Sequence, residues 1–343
     1  MLIRALLVVL SGTTSVLVLE SGEKVCLSIK NNNLGTENIG LLCENNFFIE
    51  KELLIMKNKA TLIGTFAIAM WSMLALTTSA TKGIPPFQLL FLTFAIGGTI
   101  GLIMVNMKQK QYFNIFRIPI KAWVVGVGGL FGYHFFYFTA LSNAPVAEAS
   151  LIAYFWPVLI VLFSSFLPDE RLMWFHIFGA FIALSGAVIL LMNNGEFSIS
   201  TEYVWGYLAA LCSALIWAIY SVLNRTMAHI PTDCIAGFCI ITAILGGISH
   251  MALEQWVSPI GWQWLAIFGL GIGPVGAAFY AWDYGTKHGN IKLLGVSSYA
   301  APLISTIILT LTGKAEFTWG LAAACFLISC GALLASLDMF TEK

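Results

Sequence analysis

Charge is scarce in this sequence. Asp, Glu, Lys and Arg make up only 10% of the 343 residues, whereas apolar and aromatic residues make up 59% and the mean hydropathy is +0.86. A soluble globular protein carries about 25% charged residues, so this chain has too few to cover a water-exposed surface. The 17 Lys and Arg balance the 17 Asp and Glu, which leaves no net charge to attract nucleic acid. The composition excludes an ordinary soluble domain and predicts a polytopic protein of the lipid bilayer.

Motifs for catalysis and metal binding are also missing. The seven cysteines include no Cys-x-x-Cys pair and have no His at metal-ligand spacing, so neither a zinc site nor a redox centre is indicated. Sequence motifs of serine hydrolases, zinc proteases and Walker-type nucleotide sites do not occur either. We therefore expect no enzyme activity, no cofactor and no metal. Energy for transport would come from a gradient across the membrane, with facilitated diffusion as the alternative.

Long apolar runs fill most of the chain. The hydrocarbon core of a bilayer is about 30 Å thick, which takes about 20 apolar residues to cross as a helix. Residues 60–340 divide into ten such runs, separated by short connections rich in Gly, Pro and Asn. The runs are 60–80, 87–107, 121–141, 146–167, 172–192, 203–225, 232–253, 262–285, 291–312 and 317–337. The predicted fold is an all-α membrane protein with ten transmembrane helices.

Basic residues are distributed unevenly between the alternate connections. With the count started at residue 56 and the N-terminus inside, only Lys82 and Lys314 lie outside. The inside set is Lys57, Lys59, Lys108, Lys110, Arg117, Lys121, Arg171, Arg225, Lys287, Lys292 and Lys343. Because short cytoplasmic loops carry the excess of Lys and Arg, this asymmetry predicts cytoplasmic N- and C-termini in the cell (inner) membrane.

Residues 1–55 do not fit this pattern. Their apolar stretch, residues 2–19, contains Arg4 and is followed by no small-x-small cleavage site, while residues 20–52 are polar and rich in Asn. A basic Lys-Asn-Lys sequence follows Met56 and is typical of the start of a first membrane helix. We therefore interpret residues 1–55 as an upstream extension that is disordered or not part of the native protein.

Landmark residues recur at a nearly constant spacing. Trp71 and Trp217 are 146 residues apart, and Pro157 and Pro302 are 145 apart. This spacing predicts two copies of a five-helix unit, although chance similarity between apolar helices is the alternative. Because five is odd, the second copy would enter the membrane upside down, as in transporters that bind substrate near the midplane between inverted halves. The predicted copies are residues 56–195 and 196–343.

Short motifs give the repeat a resemblance to a known family. Residues 140–190 combine a small-residue helix start, the mid-helix Pro157, an Asp-Glu-Arg turn at 169–171 and a final helix with a small-residue face. This stretch resembles the EamA-type transporters of the drug/metabolite transporter superfamily, and residues 285–335 repeat it more loosely. The Ala-Tyr-Phe-Trp-Pro motif at 153–157 is most similar to the aromatic amino acid exporter branch. The resemblance implies ten helices, alternating access and export of hydrophobic amino acids.

The two mid-helix prolines indicate a candidate substrate site. Proline frees the carbonyl four residues earlier from its helical bond, here the carbonyls of Ala153 and Ser298. Weakened helices at corresponding positions of two halves point to a transporter's substrate site, although ordinary aromatic packing is the alternative here. The predicted substrate-binding residues are Trp71, His134, Tyr137, Tyr154, Trp156, Trp217, Ser298 and Tyr299, with helix breaks at Pro157 and Pro302.

Ionisable residues are rare inside the predicted spans, where a charge is costly and therefore suggests function. His134 lies in the middle of the third run and Asp283 in the last turn of the eighth, so both are candidate proton carriers. A hydrogen bond to a neighbouring helix is the alternative for His134, and an ion pair with Lys287 is the alternative for Asp283. Glu148 lies in the first turn of the fourth run, where the helix macrodipole accounts for a carboxylate.

These patterns together predict a secondary transporter that exports a small amphipathic molecule. Aromatic or other hydrophobic amino acids are the leading substrates, and a monomer is sufficient. A carrier of a nucleotide sugar or a drug-like compound is the first rival, but a phosphate would need Lys or Arg at the helix centres, which contain neither. A non-transporting membrane scaffold is the second rival, and it would need an extramembrane domain or a polar cluster.

Overall fold

The computed structural model describes residues 4–11, 14–21, 24–31, 40–109, 117–168, 170–192, 200–312, 318–335 and 337. The chain divides into two compact units, Met1–Lys59 and Ala60–Lys343. The first unit contains an antiparallel sheet, and the second is helical.

Four antiparallel strands form the sheet of the first unit, in the order β1-β2-β3-β4. The strands are β1 (Arg4–Ser11), β2 (Thr14–Ser21), β3 (Lys24–Asn31) and β4 (Gly40–Asn45). Ser11 pairs with Thr14 and Ser21 pairs with Lys24, so two residues, one of them Gly, separate each of these strand pairs.

These strands lie in residues 1–55, for which a disordered or non-native extension stays the prediction. Short runs rich in Val, Leu and Ile, separated by two-residue connections that contain Gly, form the hairpin pattern that the overall polarity of the segment concealed. Whether the segment belongs to the native protein stays a prediction.

Helices account for the second unit. The α-helices are α1 (Asn46–Trp71), α2 (Leu74–Ser79), α3 (Pro86–Gln109), α4 (Ile120–Asn143), α5 (Val146–Ala153), α6 (Trp156–Phe163), α7 (Trp174–Met192), α8 (Val204–Thr226), α9 (Ile235–Leu253), α10 (Trp262–Ile272), α11 (Ala278–His288), α12 (Ile291–Ser297), α13 (Ala300–Leu311) and α14 (Trp319–Ala335). The 3₁₀-helices are Ser164–Phe166, Thr201–Tyr203 and Thr232–Cys234, and a π-helix covers Gly273–Ala277.

Apolar length agrees with a membrane location. Eight helical segments within the described residues are long and apolar enough to cross a bilayer. Two shorter apolar helices, Trp174–Leu190 and Trp319–Ala335, coincide with the fifth and tenth predicted runs. The helical membrane-protein fold is thereby confirmed, whereas the count of ten crossings stays a prediction.

The last helices of the two halves, α7 and α14, pack closely through small residues. A β-carbon added at Gly179 would lie 2.6 Å from the Gly331 carbonyl oxygen, and one added at Gly186 would lie 3.1 Å from the Ala324 carbonyl oxygen. The residue number rises along α7 where it falls along α14, so the two helices are antiparallel. Small side chains allow such direct backbone contact between membrane helices.

The second helices of the two halves, α3 and α9, are antiparallel in the same way. Gly98 lies against Ile240, and Gly246 lies against Leu90. Later residues of α3 therefore contact earlier residues of α9, so the two helices are antiparallel. Corresponding helices of the two halves consequently run in opposite directions at both of these contacts.

The remaining large contacts also join one half to the other. Gly129 of α4 lies against Tyr220 of α8, and Gly64 of α1 lies against Gly285 of α11. At the repeat spacing, α4 corresponds to α11 and α8 corresponds to α1. The two contacts join corresponding pairs of helices, but their residues are not equivalent, because Gly129 corresponds to Pro274 and not to Gly285.

Candidate functional site

Two helices of the second unit are interrupted at corresponding positions. α5 ends at Ala153 and α6 begins at Trp156, while α12 ends at Ser297 and α13 begins at Ala300. The two interruptions are 144 residues apart, close to the 145 residues that separate Pro157 from Pro302. Pro157 lies in the first turn of α6, where a missing N–H leaves no helical bond unmade.

The second interruption does not leave the predicted carbonyl free. The Ser298 carbonyl accepts a hydrogen bond from the Ala301 amide at 3.1 Å, a tighter i to i+3 turn that replaces the bond proline cannot make. The Ser298 hydroxyl donates to the Leu294 carbonyl at 2.7 Å, and the side chain is buried. The Ser298 carbonyl therefore has another partner, the Ala301 amide, and the role of Ser298 in substrate binding stays a prediction.

Four tryptophans from four helices meet in the main core. Trp71, Trp156, Trp217 and Trp282, here called the tryptophan cluster, come from α1, α6, α8 and α11, two from each half. Every pair of these residues has ring centroids within 6.4 Å, and the shortest separation, 5.1 Å, joins Trp71 to Trp282. Most pairs are edge-to-face or tilted, which are favourable aromatic geometries.

Two hydrogen bonds fix the orientation of the cluster. The Trp282 indole Nε1 donates to the Ser221 hydroxyl at 3.1 Å. The Trp71 indole Nε1 donates to the Pro274 carbonyl at 3.1 Å. Pro274 belongs to the π-helix, and such single-turn π segments interrupt regular helices most often at functional sites. The indole N–H groups of Trp71 and Trp282 thus have partners, as is usual for buried tryptophans.

Tyrosines extend the aromatic surface from the cluster along α4. The Tyr133 ring lies 5.2 Å from Trp217 and stacks on Tyr137 with an interplanar angle of 7°. The Tyr137 hydroxyl lies 3.3 Å from the Ser150 hydroxyl of α5. Phe279 connects the same surface to Trp71 at 6.2 Å. These side chains present flat apolar faces with a few hydroxyl groups at the edge.

His134 lies beside this surface. Its Nδ1 is 2.7 Å from the Leu130 carbonyl, and because a carbonyl only accepts, Nδ1 carries the proton in this contact. The ring contacts the rings of Phe94, Phe138 and Phe279 with centroid distances from 5.2 to 6.2 Å. This hydrogen bond is to its own helix, whereas the alternative interpretation of His134 placed the bond on a neighbouring helix.

Tyr299 lies in a different part of the core, and Tyr154 lies between that part and Tyr137. Tyr299 is fully buried in a second cluster, whose members include Val158 of α6 and Ile328 of α14, and Tyr154 packs against the same cluster. Trp71, Trp156 and Trp217 therefore share the main core, and His134 and Tyr137 contact its members Phe94 and Tyr133. Tyr299 belongs to the second cluster, while Tyr154 packs against that cluster and also lies near Tyr133 and Tyr137.

Asp283 forms the ion pair that the sequence left as an alternative. Its Oδ2 accepts from the Lys287 ammonium at 2.8 Å and from the Thr232 hydroxyl at 2.5 Å. The same ammonium donates to the Ile230 carbonyl at 2.9 Å. Asp283 is fully buried, and its Oδ1 has no hydrogen-bond partner among the described residues.

Sequence reasoning missed Trp282, Phe279 and Tyr133. Phe279 and Trp282 are three residues apart and so share one face of α11. This spacing is a signal in the sequence, but the prediction used the ionisable neighbour Asp283 instead of these rings. Tyr133 is likewise adjacent to an ionisable residue, His134.

Comparison with known proteins shows the family of this chain. The EamA-like transporter family matches residues 58–192 and again residues 204–337. The chain belongs to this family. EamA-like membership makes the protein a multi-pass membrane transporter, confirms the resemblance given by the motifs, and accounts for two similar stretches within one chain.

Individual relatives of this EamA-like chain carry a more specific name. The aromatic amino acid exporter YddG of Ancylobacter novellus is 53% identical over 282 residues, which cover 82% of this chain and 98% of the relative. The aromatic amino acid exporter YddG of Salmonella typhimurium is 25% identical over 289 residues, covering 80% of this chain and 96% of the relative. One solved crystal structure, 52% identical, superimposes with a TM-score of 0.78 over 82% of this chain and 98% of that chain.

Proposed function

We propose that this protein is a secondary transporter that exports aromatic amino acids. The observation that carries the proposal is the tryptophan cluster, in which both halves contribute rings to one surface. Indole and phenol rings bind a flat aromatic side chain through apolar contact and hydrogen-bond its polar edge. The names of the two YddG relatives support the same substrate class.

The proposed substrate-binding residues are those that belong to the main core or contact its members. They are Trp71, Trp156, Trp217, His134 and Tyr137, to which we add Trp282, Tyr133 and Phe279. Tyr154, Ser298 and Tyr299 are proposed to support the interrupted helices, since each is packed or hydrogen-bonded within its own region.

We propose ten membrane crossings arranged as two inverted five-helix halves, residues 56–195 and 196–343. The antiparallel contacts of α3 with α9 and of α7 with α14 support the inversion. The distribution of Lys and Arg supports cytoplasmic N- and C-termini. Inverted halves that can rock about a site between them supply alternating access without ATP.

Coupling to protons is proposed at Asp283, with His134 as the second candidate. Asp283 is fully buried, its Oδ1 has no hydrogen-bond partner among the described residues, and its Oδ2 pairs with Lys287. These contacts support the role, because protonation of Asp283 would break an ion pair beside the proposed transport path. Facilitated diffusion is the alternative. Uptake driven by an imposed proton gradient, measured in wild type and Asp283→Asn, separates the two.

The test of the proposed function is flux in reconstituted vesicles. Liposomes that contain the purified protein should take up labelled phenylalanine with saturable kinetics. Trp217→Leu should lower this flux by roughly tenfold, equivalent to about 1.4 kcal/mol. Trp205→Leu is the matched control, since Trp205 is on the same helix with 76% of its surface exposed. Absence of saturable flux for every aromatic amino acid would overturn the proposal.

A further inference from the structure

A buried carboxylate joins the two halves at one end of the molecule. Glu170 lies in the connection between α6 and α7, in the first half, and its side chain is only 7% exposed. Its Oε1 lies 3.2 Å from Nη2 of Arg225 at the end of α8, and its Oε2 lies 3.0 Å from Nζ of Lys292 at the start of α12. Each carboxylate oxygen therefore binds one cation of the second half.

Arg225 and Lys292 differ in their other hydrogen bonds, because Arg225 bonds the second half and Lys292 bonds the first. Nη1 of Arg225 donates to the carbonyls of Lys287 and Gly289, at 3.0 and 2.7 Å, at the end of α11. A cation at a helix C-terminus is favoured by the orphan carbonyls and the helix dipole. Arg225 thus stays attached to the second half when Glu170 moves away. Lys292 instead donates to the Arg171 carbonyl at 3.0 Å, next to Glu170.

Two alanines of the first half occupy the sequence positions that correspond to these cations. At the repeat spacing of 145 residues, Arg225 corresponds to Ala80 and Lys292 corresponds to Ala147. At the opposite end of the molecule the halves are joined by neutral groups and a carboxylate: Glu254 accepts from the Phe87 amide at 3.0 Å. Among the described residues, ion pairs that join the two halves therefore lie at the end that the Lys and Arg distribution predicts to be cytoplasmic, whereas Glu254 at the other end pairs with His250 of its own half.

From this asymmetry we propose that Glu170 is the gating residue of the cytoplasmic end, and this inference rests on the proposed alternating-access function. Its two ion pairs hold that end closed, and their rupture is the step that opens it. Removing one partner of a buried pair leaves an uncompensated charge, so the closed state depends on Glu170 strongly. Once the end opens, water hydrates all three charged groups, which makes the rupture reversible.

Hydrogen exchange tests this gate directly. Glu170→Gln keeps the size of the side chain and removes its charge, and Glu202→Gln, at an exposed glutamate, is the matched control. In Glu170→Gln, amides of residues 285–295 should exchange about tenfold faster, because the closed state is less populated. Amides of residues 254–262 at the opposite end should exchange more slowly, because opening one end closes the other. The control should change neither segment.

Two outcomes overturn the gate. Unchanged exchange at 285–295 excludes a closing role, and faster exchange at both ends reveals general loosening instead of gating. If Glu170→Gln does not fold, Lys292→Gln removes one pair and keeps the other, and should shift both segments in the same directions by a smaller factor. The exchange pattern needs no substrate, so failure of phenylalanine flux in wild type would refute the proposed function without deciding the gate.

Discussion

The two interrupted helices correspond in sequence, but they contribute side chains of different size to the main core. Tyr154 and Tyr299 are equivalent at the repeat spacing, and both pack in the second cluster. Trp156 and Ala301 are also equivalent, and both belong to the main core. The first interruption thus supplies a large ring to the tryptophan cluster where the second supplies a methyl group. The fold is shared between the halves, while the binding surface is built unequally.

The largest expected effect comes from making the first interruption resemble the second. Trp156→Ala should lower phenylalanine flux per folded molecule by more than about tenfold, since it removes a ring that contacts three other tryptophans. Flux into liposomes, normalised to monodisperse protein on gel filtration, measures this. Trp174→Ala, at an exposed ring, is the control. Flux above half of wild type in Trp156→Ala would contradict the unequal division of labour.

A second change addresses the scaffold around the second cluster. Gly331→Leu forces a side chain against Gly179 and Ala183 of α7, and overpacking of this kind costs about 1–3 kcal/mol of folding free energy. Thermal unfolding should occur at lower temperature, while flux per folded molecule stays close to wild type. Gly128→Leu, at a glycine with open space around it, should change neither quantity. A selective loss of flux with normal stability would assign α7 and α14 to the transport path.

The smallest effect is expected at the second interruption itself. Tyr299→Phe keeps the ring that fills the second cluster and removes only the hydroxyl, so the KM for phenylalanine should change by less than about twofold. Uptake measured over a range of phenylalanine concentrations checks this. A tenfold rise in KM would return Tyr299 to the substrate site and make the two interruptions functionally alike.

Apolar length and repeat spacing were sufficient to predict most of the helical unit. Each predicted run coincides with a helix or an interrupted helix, and the prolines lie where α6 and α13 begin. Hydropathy is informative here because lipid requires backbone groups to be satisfied within the helix. The first unit escaped prediction because its strands are short and low in periodicity, and Gly alone marked the turns.

The sequence indicated part of this arrangement. Trp71 and Trp217 were selected because Trp recurs there at the repeat spacing, and Trp156 because it precedes Pro157. Spacing along the chain does not reveal how a helix is rotated after an interruption, so the sequence does not predict that Tyr299 packs in the second cluster. Residue identity likewise does not specify the backbone angles of the turn in which the Ser298 carbonyl accepts from the Ala301 amide.

The reciprocal contact between α7 and α14 has an evolutionary consequence. Gly179 meets Gly331 and Gly186 meets Ala324, so each half presents the same kind of surface to the other in opposite directions. A five-helix ancestor able to insert both ways round could have built this interface by self-association. Gene duplication and fusion would then have turned a homodimer seam into an intramolecular one, after which the binding surfaces were free to diverge.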